Sequence, residues 1–406
     1  MKDLVVPSRG ERYRETERLS RLIAPPYDVI DPARRAQLAA LDDHNIVHLM
    51  LPEAPPSPAV DRYAWAGEQL ATWRRSSVLV RDAEPAVYVM AQGARLGVFA
   101  ALAAEGYEPR RVRPHEKTHA GPKADRLALL RATRTNLESI FLLAPDRDRS
   151  LARALVEVAK RSPDATAELD GAAIRFWVVR GADLSRFPFP GAPLYIADGH
   201  HRYETACAYA RENPGADRVL AFVASAGDPG GGLVVLPTHR LIYGSGRRAD
   251  AMLPAWRPWF DVTRVPAGVD PVAYLAELGR DRTACLVASP DGSVLALALK
   301  PDARLEEVPD LGTSAAVRAL DVARVEALVV RPILHADTST PTLRYTADPV
   351  EALASVRQGA SAAVLLNPTR VEQVFAVADA GDVMPPKSTY FAPKVPSGLV
   401  LKPCEE

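Results

Sequence analysis

The sequence predicts a mixed α/β chain of the α+β kind, and three observations point to it. Apolar strand-like runs and helix-spaced segments follow one another in irregular order rather than as a regular strand–helix–strand repeat. Two pairs of runs, 86–91 with 96–101 and 284–288 with 294–299, close on the hairpin signals Gln92-Gly93 and Pro290-Asp291-Gly292-Ser293. At 406 residues the chain is too long for one ordinary core and fits two or three domains.

Taken in order, residues 44–51 read as a strand. Residues 59–75 have helical spacing through Tyr63, Ala66, Leu70 and Trp73. The proline cluster at 52–58 between them reads as a rigid loop. The segment 110–126 is polar and dense in charge, and it leads into a helix over 125–137 with Leu127, Leu130 and Leu137 near one face. A strand at 140–143, a helix at 150–161 and a strand at 174–179 follow. Then come a strand at 194–197, a turn at 198–201, a helix at 202–211, and strands at 219–225 and 232–237. These patterns divide the chain into an N-terminal α+β region (1–104), a core (105–245) and a C-terminal α+β region ending in a lysine-rich tail (246–406).

Composition excludes several function classes. With 50 Lys and Arg against 50 Asp and Glu, the formal net charge is +0, so no global field draws the chain to nucleic acid or to an anionic membrane. No apolar run has the length to cross a bilayer, and no leader-like segment opens the sequence. Cys207, Cys285 and Cys404 are far apart and form neither a CxxC pair nor a zinc spacing, which reads as free thiols in a reducing compartment. The expected setting is cytoplasmic, with no nucleic-acid or membrane partner; a homodimer is compatible with the sequence but not indicated by it.

The strongest chemical signal is Asp198-Gly199-His200-His201-Arg202. An apolar strand delivers Asp198 at its end, Gly199 permits a tight turn, and a helix opens with two imidazoles and a guanidinium. Free N–H groups at a helix start beside such cations make a phosphate site, and Asp198 at its lip is suited to a magnesium ion or a substrate group. The plainer alternative is a capping Asp198 with surface His and Arg.

A second signal is Arg113-Pro114-His115-Glu116-Lys117-Thr118-His119, where Glu116 between a histidine and a lysine is a candidate general base. A solvated loop capping the next helix is the alternative there. A third is Pro386-Lys387-Ser388-Thr389-Tyr390-Phe391 with Lys394, whose lysines and hydroxyls suit phosphate. It contains no GxxxxGK[ST] loop, so it is not a P-loop. A packed C-terminal arm explains it equally. Minor candidates for substrate contact are Tyr27 and Asp28, and His239 and Arg240. His44 and His48 lie on a strand pattern and do not make a chelate by themselves, and Gly227–Gly232 lacks the context of a dinucleotide fingerprint.

The run Tyr195-Ile196-Ala197-Asp198-Gly199-His200-His201-Arg202 resembles the signature of the ParB/sulfiredoxin-like superfamily, and within it the free serine kinases. Those kinases carry a Pro-His-Glu segment followed by an Asp-Gly-His-His-Arg turn, as Pro114-His115-Glu116 and residues 198–202 do here in the same order. The full chain resembles the DUF1015 family through Ala24 to Ile30, His115 to Thr118, the 198–202 turn and Pro386 to Lys394. The resemblance implies a ParB/sulfiredoxin-like core with additional N- and C-terminal α+β regions, and a kinase using ATP or ADP with Mg2+. It implies Glu116 as the base toward the hydroxyl of free serine or a similar small amino acid or alcohol, with Asp198 and His200 in catalysis and Asp198 on the metal. It implies Gly199, His201 and Arg202 on phosphates, joined by His115, Lys117, Thr118, Lys387, Ser388, Thr389 and Lys394. In those kinases no counterpart of 147–193 is present, so this stretch reads as an insertion.

Two other classes compete. A ParB-like regulatory module would need a helix-turn-helix and a basic face to bind DNA, and the sequence offers neither. A nucleotide hydrolase would use the same phosphate turn with water as acceptor. Sulfiredoxin chemistry needs a cysteine where His200 and His201 stand; Cys207 reads as a packed thiol.

Overall fold

The computed structural model describes residues 3–53, 61–191, 193–228, 231–246, 249–309, 311–334 and 341–405. The chain forms two compact units: Met1–Pro114 with Thr118–Leu233 and Pro393–Glu406, and His115–Lys117 with Val234–Ala392. The architecture is mixed α/β, as the patterning predicts. The boundaries differ from the three regions read above, because the strands of 1–104 hydrogen-bond into one sheet with those of 105–233.

Among the described residues that sheet has nine strands, in the order Val112–Arg113, Leu194–Asp198, Ile140–Ala144, Arg218–Ser225, Arg95–Ala103, Val87–Gln92, Ala172–Val179 and Ala165–Leu169, with Val5–Val6 also pairing on 95–103. Its central strands are continuous apolar runs, as strands covered on both faces must be. One face presents Val98, Ala100, Ile140, Leu142, Ile196, Ala221 and Val223. Helix Ser150–Ala159 covers it with Leu151, Leu155 and Val158, spaced to form one stripe, and helix His200–Glu212 adds Tyr203, Ala206 and Cys207. The three cysteines are free and buried. The stretch read as an insertion supplies helix 150–159 and the hairpin 165–169/172–179, which extends the sheet at one edge.

Helices Arg62–Arg75 and Ala120–Thr133 cross closely at Gly67, where a Cβ would lie 2.6 Å from the Ala132 carbonyl oxygen. The predicted helix over 125–137 thus starts earlier and stops earlier. Arg134 turns it off in the left-handed region (φ 49°), and Thr135–Asn136 then pairs with Lys402–Pro403.

The 44–51 segment is not a strand: Val47–Met50 is a short helix. A brief, mainly apolar run broken by His48 has no clear period to distinguish the two, and here Asn45 decides. Its Oδ1 accepts from the Val47 N–H at 2.9 Å and its Nδ2 donates to the Arg21 and Ile23 carbonyls. The proline-cluster loop falls largely on 54–60, outside the described residues, as do parts of the 59–75 and 227–232 segments.

The second unit is built on an all-antiparallel sheet in the order Phe260–Arg264, Val294–Leu299, Ala284–Ala288, Ala362–Leu366, His239–Tyr243, Thr342–Thr346. Helices Pro271–Leu278 and Pro349–Ser355 cover one face with Leu275, Ala352 and neighbouring residues. The hairpin expected at 290–293 forms, with Gly292 at φ 80° and Asp291 Oδ1 accepting from the Ser293 N–H. The strand read at 232–237 is shortened to Val234–Leu236 and pairs with Tyr390–Ala392 of the tail. Among the described residues no helix is long and apolar enough to cross a membrane.

Phe222 stacks against Phe99 and Phe141 in the middle of the first sheet, and a Cβ at Gly97 would fall within its ring. Gly97→Ala is expected to destabilise the protein by roughly 1–3 kcal/mol through overpacking, measured by urea unfolding. An unchanged midpoint would mean that the Phe222 ring yields without cost.

Candidate functional site

The strand Leu194–Asp198 runs in register with 140–144 until a bulge between Ile196 and Asp198, which re-aims the last side chain. Gly199 follows at φ 90°, ψ 30°, a conformation that costs a side chain about 1–2 kcal/mol. Space forbids a side chain there too, since a Cβ would lie 3.0–3.1 Å from the Arg202 guanidinium. Helix His200–Glu212 then opens with the Tyr203 N–H donating to the Gly199 carbonyl. It begins two residues before the predicted start, so both histidines are helical.

The guanidinium of Arg202 folds back over this turn. It donates through Nη2 to Asp198 Oδ2 at 3.1 Å and through Nη1 to the Ser139 carbonyl. Lys394, in the segment that returns to this unit, places its Nζ 3.4 Å from Asp198 Oδ1. Burial pushes the Asp198 carboxyl up, but Lys394, Arg202 and His200 outweigh it and hold it down at about 2. Burial works against the Arg202 charge, and Asp198, Glu138 and Asp28 together raise its pKa above the usual arginine value.

Glu138 stands behind Arg202 and is itself buried. Its Oε1 accepts from the Tyr27 N–H at 2.9 Å, and its Oε2 lies 3.6 Å from Arg126 Nη1. Burial raises its pKa, opposed by the charges of Arg202 and Arg126. Arg126 lies over the Tyr27 ring at 4.4 Å, and burial pushes the Tyr27 phenol up to about 12, so it is a neutral hydroxyl at physiological pH. The predicted pair Tyr27 and Asp28, on the turn Tyr27–Val29, is thereby tied to the same charge cluster as the 198–202 turn.

His201 and Thr118 are fixed along one helix face. His201 Nε2 accepts from the His119 N–H at 2.9 Å with the two rings stacked at 6.1 Å. One turn on, Glu204 accepts from Thr118 Oγ1 at 2.8 Å and Lys123 Nζ at 2.9 Å. His200 is buried at the head of the helix.

The remaining predicted residues belong to the second unit. There the two motifs flanking its core come together: His115 Nε2 is 3.1 Å from Thr389 Oγ1, and Glu116 Oε1 accepts from the Lys387 N–H at 3.2 Å. Lys387 sits at φ 52°, Ser388 Oγ donates to the Pro385 carbonyl, and Lys117 is exposed. His239 and Arg240 are on the buried strand 239–243. His239 Nδ1 accepts from the Leu366 N–H, and burial together with the Arg240 charge lowers this imidazole to about 4, so it is neutral. Arg240 Nε donates to Glu326 and its Cζ lies 5.5 Å from the Tyr345 ring.

Glu138 and Glu204 were not singled out in the sequence. For Glu138 a signal existed: an acid in Leu137-Glu138-Ser139-Ile140, at the mouth of an apolar strand, is a charge that the fold must bury. Among the described residues no group of three or more His, Cys, Asp or Glu side chains is placed to hold a metal ion. A magnesium ion carried by a nucleotide needs only one or two protein carboxylates, the phosphates and water supplying the rest. Asp198, ionised at the turn, fits that requirement as a single donor.

The chain matches the family described as a protein of unknown function, DUF1015, over residues 5–323. No curated protein matches it. Solved structures to which it is similar include a free serine kinase mutant in complex with ADP, at 13% identity over 73% of this chain and 87% of that chain, TM-score 0.38. Others are a conserved hypothetical protein from Pyrococcus furiosus, at 15% identity over 75% and 95%, TM-score 0.36, and SbnI with a C-terminal truncation from Staphylococcus aureus, at 10% over 73% and 84%, TM-score 0.38.

Because the folded Asp198 carboxyl is held at about 2, below the ordinary 3.8, its ion pairs stabilise the fold above pH 4 and are lost as pH falls toward 2. The stability difference between wild type and Asp198→Asn should therefore shrink by about 2 kcal/mol between pH 5 and pH 2. Urea unfolding across that range reads it, and a pH-independent difference would show that Asp198 is not held by its cations.

Proposed function

This chain belongs to the DUF1015 family, and we propose that it is a small-molecule kinase whose first unit binds nucleotide phosphates at the 198–202 turn. It transfers a phosphoryl group from ATP or ADP to the hydroxyl of free serine or a similar small amino acid or alcohol. The observation that carries this reading is the convergence of Arg202 and Lys394 on Asp198 at the head of a 13-residue helix, beside a glycine in the left-handed region. Helix-start N–H groups and two cations form an anion site, and a cationic, preorganised setting is what phosphoryl transfer requires.

Residue roles follow from that geometry and from the resemblance in the motifs. The turn's N–H groups, Arg202 and Lys394 hold phosphate oxygens and offset their charge. Magnesium, with Asp198 as its protein donor, would supply further charge neutralisation on the phosphates. His200, buried at the head of the helix, adds to Lys394 and Arg202 in keeping the Asp198 carboxylate ionised. Glu116 takes the acceptor's hydroxyl proton as the new oxygen–phosphorus bond forms; the bridging bond to the donor breaks, releasing ADP from ATP or AMP from ADP. By the resemblance of the motifs, His115, Lys117, Thr118, His201, Lys387, Ser388 and Thr389 are assigned to the phosphates, and Tyr27, Asp28, His239 and Arg240 to the substrate.

Purified protein with magnesium and either ATP or ADP, incubated with free amino acids and related alcohols, should give a phosphorylated acceptor detectable by mass spectrometry. Glu116→Gln should lower kcat by roughly 10²–10⁴-fold with folding unchanged, the range for loss of a general base. Release of inorganic phosphate without a phosphorylated acceptor would replace the kinase by a hydrolase. Nucleotide binding without turnover would make the turn a regulatory site.

A further inference from the structure

The first unit has a partly open pocket with about 50 Å³ of space for water, lined by Arg126, Asn136, Glu138, Arg202 and Thr205 together with mainly apolar side chains. Two buried polar atoms on its lining residues, Arg202 Nε and Thr205 Oγ1, have no hydrogen-bond partner in the protein. A buried donor left unpaired costs about 1–3 kcal/mol, and a pocket of this size has room for water beside these polar atoms, so water is the natural partner for both.

Glu138 gives the cavity its charge. Only two cations act on it strongly, Arg202 and Arg126, while its Oε1 holds the backbone of Tyr27. The reason to bury it cannot be its pairing with Arg126 alone. Arg126 already has Asp125 Oδ2 at 2.8 Å from its Nε, and its Nη1 donates to the Met50 carbonyl at 2.8 Å. Arg202, by contrast, has one carboxylate and one carbonyl in contact and an unsatisfied Nε, and it lines the same pocket as Glu138. Removing the Glu138 carboxylate would take away one of the three acids, Asp198, Glu138 and Asp28, that offset a buried guanidinium, and so loosen the hold on its position.

We propose that Glu138, acting through this hydrated cavity, is a positioning residue that sets the Arg202 guanidinium at the phosphate turn and ties the Tyr27–Asp28 turn to it. The consequence for chemistry rests on the reading of 198–202 as a phosphate site; the consequence for Arg202 does not.

The two are separated by measuring the ligand-free protein first. In arginine-labelled protein the Arg202 Nε–H signal, assigned by its loss in Arg202→Lys, should exchange slowly with solvent. In Glu138→Gln, which keeps shape and the bond to Tyr27 but removes charge, exchange should quicken about tenfold or more, with Glu138→Asp in between. A crystal structure of the wild type should show ordered water within hydrogen-bond distance of Arg202 Nε and Thr205 Oγ1. Equal exchange in wild type and Glu138→Gln, or a dry cavity, overturns the proposal. If Glu138→Gln does not fold, Glu138→Asp carries the comparison. ADP titration of the wild type then tests the phosphate site alone: its failure removes the proposed function and leaves the Arg202 result standing. With both intact, Glu138→Gln should lose about tenfold or more in kcat with KM for nucleotide within about threefold; a rise in KM alone would count against positioning.

Discussion

The burial of one guanidinium organises the first unit. Arg202 sits at the head of its helix with its charge taken out of water, and a charge so placed costs several kcal/mol unless paired. Three groups from two separate parts of the chain meet that demand: Asp198 at the end of the preceding strand, and the Ser139 carbonyl with the neighbouring Glu138 just before the 140–144 strand. The bulge after Ile196 aims Asp198, and the glycine at 199 clears the space into which the guanidinium folds. A different residue at any of these positions changes the electrostatics of Arg202 and not only the local backbone.

The return of the C-terminal segment completes this arrangement. Residues 393–406 belong to the first unit, where Leu401 bonds Glu11, Lys402–Pro403 pairs with Thr135–Asn136, and Lys394 meets Asp198. The excursion into the second unit ends where that segment begins, and within that unit the Glu116 carboxylate closes on the Lys387 backbone, 271 residues away in sequence. Motifs that look scattered along the chain are thus gathered in pairs, one pair in each unit.

Legibility followed the physics of each signal. The strand–glycine–helix at 194–212 was readable because a hydrophobic run, a left-handed glycine and a helix pattern each constrain the backbone locally, and so was the 284–299 hairpin. The 44–51 run reads as a strand because two short apolar stretches broken by His48 carry no clear period, and the deciding bonds reach from Asn45 to carbonyls more than twenty residues away. The pairing of 95–103 with 218–225, which joins segments far apart in the chain, is likewise invisible to any local pattern.

By itself the sequence determined the class of the fold and the strand–glycine–helix turn at 198–202, since these depend on residue type and short-range geometry. Only the tertiary structure decided which charges balance which. Lys394 belongs with Asp198, Lys387 with Glu116, His201 with the His119 backbone, and the unremarked Glu138 with Arg202, because electrostatic pairing is set by distance in space and by burial, and neither is written in the order of the residues.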